Sequence, residues 1–334
     1  MRSQGLSEIL VPLDGSEAAD RAIPVAARIA ARSGARLHLV AIRRSQVPVT
    51  GQIAPDFAVV TPGLESINHA VFANHLEAHA DDIEMLYHVP VAREVINGVE
   101  SVADELVTYA ARHEIDLIVM RTHGRSAIGR LCIGSVGSTL VDRAGVPCLL
   151  LRENHGRTVR QARHGWEFAR IMVPLDGSEE AEVAIEQALA LATPSLTQIQ
   201  LLIVVPRQWV PDGGEEYAVP QTVQLANAEA YVNGMARRLE ARGYRAKGFT
   251  VANRNPAAAI AACAGEQQID LVSIASHHRD RGNRLLFGSV IDTLVHETDV
   301  PILARRVGMA AVRVEKLEEV AATCGRTRTE AAMT

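Results

Sequence analysis

The strongest constraint on the fold is an internal repeat. The segment ILVPLDGSE at Ile9–Glu17 returns as IMVPLDGSE at Ile171–Glu179, with a single substitution. A second segment, Asp116–Pro147, returns at the same length as Asp270–Pro301. Segments that recur in the same order indicate two homologous domains of about 150 residues each. We predict domain 1 at 1–153, a linker at 154–169, domain 2 at 170–307 and a C-terminal tail at 308–334.

Short aliphatic runs alternate with amphipathic helical patterns in both copies. Continuous apolar runs such as LIVM between helices are typical of parallel strands that are covered on both faces. Each copy is therefore predicted to be a five-stranded, doubly wound α/β domain. The strands of the first copy are expected near 8–13, 36–42, 88–95, 116–121 and 147–152, and its helices near 17–33, 64–82, 99–113 and 135–144. The strands of the second copy are expected near 170–175, 198–205, 245–251, 270–275 and 301–306.

Composition excludes several classes of protein. The formal net charge of −5 provides no basic field for a nucleic acid. The lysines are Lys247 and Lys316, and neither follows the GxxxxG pattern that a P-loop nucleotidase needs. No apolar run approaches the roughly 20 residues that span a bilayer, and the N-terminal residues do not resemble a signal peptide. We expect a cytoplasmic protein with neither nucleic acid nor membrane as partner.

Cysteines and histidines give weak metal signals. The cysteines have no CxxC spacing, so we interpret them as small core or surface residues. His75 and His79 are four residues apart on a predicted helix, a spacing that can bring two imidazoles to one metal ion. Leu76 stands where the metalloprotease motif has glutamate, and a solvated helix face is the favoured interpretation. No metal-binding residues are predicted. The cysteines are Cys132, Cys148, Cys263 and Cys324.

The candidate site lies where the winding of the sheet reverses, between strands 1 and 4. Asp14–Ser16 follows strand 1, Thr122–Gly124 follows strand 4, and Gly134-Ser135 opens the next helix. Free N–H groups and the helix dipole at such a helix start favour a phosphate, and glycine permits close approach of the backbone. The alternative is that these glycines only form turns and that the serines only cap helices.

Three segments carry a resemblance to a known family. VPLDGSE, DLIVMRTHG and GSVGSTLVDRAGVPCLLL resemble the universal stress protein family in its tandem form, and the resemblance covers nearly the whole chain. It implies the adenine nucleotide alpha hydrolase-like fold, with strand order 3-2-1-4-5 in each domain. It also implies a regulatory role in the stress response.

The nucleotide-binding branch of this family carries Gly-x2-Gly-x9-Gly-Ser/Thr after strand 4 and an acidic residue after strand 1. Gly124, nine residues and Gly134-Ser135 match this pattern, Asp14 matches the acid, and Arg121 replaces the first glycine. This arginine either fills space beside the ribose or pairs with phosphate.

The second copy departs further from the pattern. Ala275 and His278 replace both leading glycines, although Gly288-Ser289 and Asp176 remain. We therefore expect adenine nucleotide binding mainly in domain 1, with ATP as the ligand and Mg²⁺ as its accompanying ion. The resemblance implies a binding site of Pro12, Asp14, Val40, Ala41, Arg121, His123, Gly124, Arg125, Gly134, Ser135 and Val136.

Enzymatic activity has no motif support. GxSxG and GxGxxG are both absent, and no nucleophile, base and orienting group can be assigned to one site. We predict no catalytic residues and at most weak ATP hydrolysis. The leading hypothesis is an ATP-dependent signalling module, and the alternative is a stress scaffold or chaperone-like interaction protein with both pockets closed.

Strand 5 offers an edge for pairing. LLLR at 149–152 and ILAR at 302–305 are expected to join the two halves as a pseudo-dimer, because in the resembled family this strand pairs with its equivalent. We also expect whole chains to form a homodimer, and we expect protein partners that the sequence does not identify.

Overall fold

The computed structural model describes residues 5–44, 62–98, 100–122, 134–152, 168–206, 221–277 and 289–307. Within these residues the first copy alternates strands with helices as predicted. Its strands are β1 (Glu8–Leu13), β2 (Arg36–Arg44), β3 (Val91–Gly98), β4 (Leu117–Arg121) and β5 (Cys148–Leu151). Its helices are α1 (Glu17–Asp20), α2 (Ile23–Ser33), α3 (Pro62–Tyr87), α4 (Val102–Arg112) and α5 (Gly134–Arg143).

The second copy repeats this order. Its strands are β6 (Arg170–Leu175), β7 (Gln198–Pro206), β8 (Arg245–Asn253), β9 (Leu271–His277) and β10 (Ile302–Val307). Its helices are α6 (Glu179–Leu191), α7 (Gln221–Ala241), α8 (Pro256–Glu266) and α9 (Ser289–Glu297).

All ten strands form one sheet, in the order β3-β2-β1-β4-β5-β10-β9-β6-β7-β8. Each half has the predicted order 3-2-1-4-5, and its strands pair in parallel. Strands β5 and β10 pair antiparallel, with Leu149 opposite Leu303. The expected pairing of the two halves within the chain is therefore present.

The sheet is covered by helices on both faces. One face carries Ile9, Val11 and Leu117 and packs against α2, α3, α6 and α7. The other face carries Leu10 and Ile118 and packs against α4, α5, α8 and α9. This alternation follows from the two-residue period of a strand, and apolar residues on both faces explain the unbroken aliphatic runs.

The predicted helix 17–33 is interrupted, which corrects the sequence analysis. Helix α1 ends at Asp20 and α2 begins at Ile23, with Pro24 in its first turn. Proline has no N–H to donate, and its ring clashes with the carbonyl four residues earlier, here that of Asp20. The second copy has Glu186 at the position of Pro24, and α6 is continuous there.

Strand β3 also begins later than predicted, at Val91 instead of residue 88. His88 has a φ of 55° directly after α3, a left-handed conformation that ends the helix, and Pro90 follows it. Cys148 and Cys263 are buried free thiols. Among the described residues, no helix combines the length and apolarity that crossing a membrane would require. The predicted linker and tail, Cys132 and Cys324 lie outside the described residues, apart from 168–169 in the linker.

Candidate functional site

The turn after β1 is fixed by local hydrogen bonds. Oδ1 of Asp14 accepts a hydrogen bond from the N–H of Ser16 at 2.9 Å, and Gly15 has a φ of +79°. The hydroxyl of Ser16 accepts a hydrogen bond from the N–H of Ala19 at 3.2 Å and so caps α1. Gly15 and Ser16 therefore have structural roles, while the side chain of Asp14 is exposed at the edge of the sheet.

The same turn is present in the second copy. Oδ1 of Asp176 accepts a hydrogen bond from the N–H of Ser178 at 3.0 Å, and Gly177 has a φ of +85°. Ser178 caps α6 by accepting a hydrogen bond from the N–H of Ala181 at 3.2 Å. This geometry is thus common to both domains and does not by itself distinguish a ligand site.

The end of β4 lies beside the end of β1. Ile9 of β1 pairs with Leu117 of β4 in parallel, so Asp14 and Arg121 follow neighbouring strands to the same edge of the sheet. Thr122 is buried, and its N–H donates to the carbonyl of Leu151 at 2.8 Å. The helices that follow β1 and β4 pack on opposite faces, which is the crevice where ligands bind in doubly wound sheets.

Arg121 is half-buried at this edge. Side chains alternate along β4, so Arg121 lies on the face of Leu117 and Val119, which α2 and α3 cover. Ala275, the equivalent residue of β9, packs against the apolar core of that same face. The substitution of glycine thus places a long cation next to the first helical layer in domain 1 and only a methyl group in domain 2.

Val40 and Ala41 lie inside β2 and not at its end, because the strand continues to Arg44. Both side chains are fully buried, on opposite faces of the sheet. Val40 pairs with Pro12 of β1, whose ring is half-buried. Contact of Val40 or Ala41 with an adenine ring stays a prediction.

Helix α5 begins at the predicted Gly-Ser pair. Gly134 is its first residue, Ser135 is exposed, and Val136 packs half-buried against the core. The carbonyl of Ser135 accepts hydrogen bonds from the hydroxyls of Ser138 and Thr139, at 3.0 and 2.9 Å. The predicted site residues His123, Gly124 and Arg125 lie outside the described residues, as do His278 and Gly288 of the second copy.

The sequence analysis identified only part of one group of side chains, the two histidines of α3 without the carboxylate that they contact. His75 and His79 of α3 both contact Asp20, the last residue of α1, and are not on a solvated helix face. Their side chains are 28% and 29% exposed. The histidine spacing is a sequence signal, but the carboxylate that they share is 55 residues away from His75 in the chain.

A second group has no sequence signal. His38 of β2 is buried between Oε2 of Glu8 at 2.7 Å and the hydroxyl of Tyr109 at 2.9 Å. His113 stacks on Tyr109, with ring centroids 4.1 Å apart. Burial, and then the charges of Glu94 and Glu8, raise the pKa of Tyr109 to about 12.

Comparisons with known proteins agree with this architecture. The Universal stress protein family matches residues 6–152 and 167–306. Universal stress protein Rv2005c of Mycobacterium tuberculosis is 28% identical over 198 residues, which are 58% of this chain and 63% of that protein. The chain thus spans less than two thirds of this relative. A universal stress protein of Mycolicibacterium smegmatis is 26% identical over 89% of this chain and 96% of its own length.

Among solved structures, a universal stress protein from Archaeoglobus fulgidus has a TM-score of 0.62 at 16% identity. The alignment covers 92% of this chain and all of that one, and the likeness shows the fold. With both copies matched by one family and ten strands in the expected order, the chain belongs to the universal stress protein family as a tandem pair of its domains.

Proposed function

We propose that this chain is a stress-response regulator whose first domain binds an adenine nucleotide, ATP, in the crevice between β1 and β4. The observation that carries the proposal is the convergence of Asp14 and Arg121 on one sheet edge, beside the strand-to-helix segment with the family spacing. In the nucleotide-binding branch of the family, this edge holds the nucleotide. The bound nucleotide would then set how the protein meets its partners.

Each group has a chemical task in this proposal. The exposed carboxylate of Asp14 is preoriented by the N–H of Ser16 and accepts hydrogen bonds from ribose hydroxyls. The N-terminal N–H groups of α5 and the helix dipole bind phosphate oxygens near Gly134-Ser135. The guanidinium of Arg121 supplies positive charge for phosphate in a domain whose sequence contains no lysine. Mg²⁺, when bound, neutralises charge between the phosphates.

The proposal assigns one nucleotide to each chain. Domain 2 keeps the Asp176 turn but carries Ala275 and His278 at the close-approach positions. A Cβ at such a position occupies space that the backbone of a glycine leaves for the ligand. The difference between the domains thus lies at the ends of β4 and β9 and in the residues that follow them, and not at the aspartate turns.

The test is calorimetric titration of the nucleotide-free protein with Mg-ATP, with two matched variants. Asp14→Asn should weaken binding about tenfold, because it exchanges a charged acceptor for a neutral one. Asp176→Asn changes the equivalent turn of domain 2 and should leave binding unchanged. A stoichiometry of one and this asymmetry support the proposal.

The other outcome favours the scaffold hypothesis. If neither calorimetry nor a thermal shift at millimolar Mg-ATP detects binding to the folded protein, the nucleotide proposal is wrong. Equal losses of Mg-ATP affinity in Asp14→Asn and Asp176→Asn would instead mean that binding is not confined to domain 1.

A further inference from the structure

Three potential metal ligands converge between α1 and α3. Nε2 of His75 lies 2.9 Å from Oδ1 of Asp20, and Nε2 of His79 lies 3.5 Å from Oδ2. The two imidazole rings are 4.7 Å apart and nearly perpendicular, at 86°. One ligand atom from each residue lies within 4.8 Å of the other two.

The helix α3 sets the direction of both imidazoles. Its residues Leu76, Ala80 and Ile83 are buried against the sheet, which orients the helix about its axis. His75 and His79 precede two of these residues by one position, so they lie together on the side that meets α1. The orientation of the pair is therefore imposed by core packing and does not depend on the carboxylate.

Asp20 is held on the other side of the site. It is the last residue of α1, directly before the break imposed by Pro24. Its side chain is 18% exposed and contacts both histidines. Two helices thus present their ligands to one point that water can still reach.

The second copy shows what this helix contact needs for packing alone. Val232, Ala236 and Leu239 of α7 are buried with the same spacing as their counterparts on α3, which makes Tyr231 and Met235 the equivalents of the two histidines. There the hydroxyl of Tyr231 donates to Oε1 of Glu182 at 2.7 Å.

At the two positions equivalent to the histidines, domain 2 thus has one hydrogen bond, from Tyr231, and a methionine, Met235, that packs partly buried against the apolar core. Domain 1 instead directs two imidazoles at one carboxylate, which is more than the packing of α1 against α3 requires. Its donor set also differs in chemistry, because imidazole nitrogen and carboxylate oxygen both bind metal ions, whereas a neutral tyrosine and a methionine rarely form such a pair with glutamate.

We propose that Asp20, His75 and His79 bind a divalent transition metal ion of the zinc type. Ligand atoms about 2.0–2.1 Å from a tetrahedral zinc ion are separated from each other by roughly 3.3 Å. The separation of 2.9 Å from His75 to Oδ1 and that of 3.5 Å from His79 to Oδ2 are both close to this value, although they involve different oxygens of the one carboxylate. Two nitrogen ligands disfavour Mg²⁺ and Ca²⁺, which prefer oxygen.

The metal would link α3 to the turn at the end of β1. Phe72 lies one turn before His75 on α3, and its Cε1 is 3.2 Å from the position that a Cβ on Gly15 would take. An ion bound by both helices would hold this ring against the turn. The metal proposal does not depend on nucleotide binding, because none of its three ligands belongs to the nucleotide site.

The test uses the full-length chain without an affinity tag, stripped of metal and titrated with CoCl₂. Cobalt reports four-coordination through its visible absorption, and ZnCl₂ is then added as a competitor. We expect a saturable cobalt site that zinc displaces. His75→Gln, His79→Gln and Asp20→Asn should each weaken it at least about tenfold, the loss that even an outer-shell change can cause.

The matched control is His69→Gln. His69 is on the same helix and is exposed, so its substitution should leave the cobalt titration unchanged. Circular dichroism and the melting temperature of each variant identify any loss of folding, and the near-isosteric Asp20→Asn variant keeps the test valid if a histidine variant unfolds. Absence of saturable binding in the wild-type protein, or equal affinity in the wild type and the folded ligand variants, would overturn the proposal.

Discussion

Leu149 of β5 lies directly opposite Leu303 of β10, at the centre of the antiparallel junction between the two domains. Cys148 pairs with Ala304 on one side of it, and Leu150 pairs with Ile302 on the other. Equivalent residues of the two copies are thus related by a rotation about the Leu149–Leu303 pair, as a local two-fold axis requires. The junction joins two five-stranded sheets and makes the pseudo-dimer part of the fold.

The junction should contribute strongly to stability. Leu303→Ala should lower the free energy of unfolding by about 2–5 kcal/mol, because it leaves a cavity at a fully buried position. Urea denaturation measures the change. Leu196→Ala removes a leucine that is 56% exposed and should change stability by less than about 0.5 kcal/mol. Equal effects of the two substitutions would contradict the central role of the junction.

The two aspartate turns should differ in their tolerance of a Cβ. Gly15→Ala and Gly177→Ala both force alanine into a left-handed conformation, at a cost of about 1–2 kcal/mol. Only at Gly15 does the new Cβ also meet Phe72, at 3.2 Å. We expect a larger loss of melting temperature for Gly15→Ala than for Gly177→Ala.

A double-mutant cycle separates the cost of the left-handed backbone from the cost of the contact with Phe72. In a Phe72→Ala background, the additional cost of Gly15→Ala should fall to that of Gly177→Ala. A cost that does not change in this background would show that Phe72 is not the source of the difference.

The cluster around Tyr109 should make stability depend on pH. Burial, and then the charge of His38, lower the pKa of His113 in the folded protein, with Arg112 acting in the same direction and Glu94 and Glu8 opposing it. The unfolded chain therefore binds a proton more readily, and stability should fall as the pH decreases below the unfolded value of about 6.5.

Above that pH, His113 is neutral in both states and its contribution is constant. His113→Gln should flatten the dependence of the unfolding free energy on pH between about 7 and 5, measured by urea titration at each pH. Parallel pH curves for the two proteins would mean that another group causes the dependence.

Much of the architecture could be predicted from the sequence because it depends on local periodicity. The repeat predicted two domains, aliphatic runs such as LIVM predicted parallel strands, and the family resemblance implied the strand order that the sheet has. The break between α1 and α2 was missed because the apolar period continues through Pro24. Backbone sterics override the pattern there, and the second copy, without this proline, keeps its helix.

The clusters of polar residues could not be predicted because they depend on tertiary contacts. Asp20 meets His75 across 55 residues, and His38 meets Tyr109 across 71. Spacing along one helix revealed the histidine pair but not the carboxylate. At the candidate nucleotide site, the family motif drew attention to Asp14 and Arg121, the expected winding put their strands side by side, and the parallel pairing of β1 with β4 agrees with that expectation.

Arg121 provides the sharpest test of how the crevice differs from that of the family. If its guanidinium binds phosphate, Arg121→Gly should weaken Mg-ATP binding about 10- to 100-fold, as expected for a lost charge-assisted hydrogen bond. Arg121→Lys should lose less affinity, because it keeps the charge without the planar fork.

Ala275→Gly, at the equivalent position of β9, is the control that also opens space but removes no charge. We expect weaker binding in Arg121→Gly and no change in Ala275→Gly. Tighter binding in Arg121→Gly would show the opposite, that the side chain fills the space which glycine leaves open in the family motif.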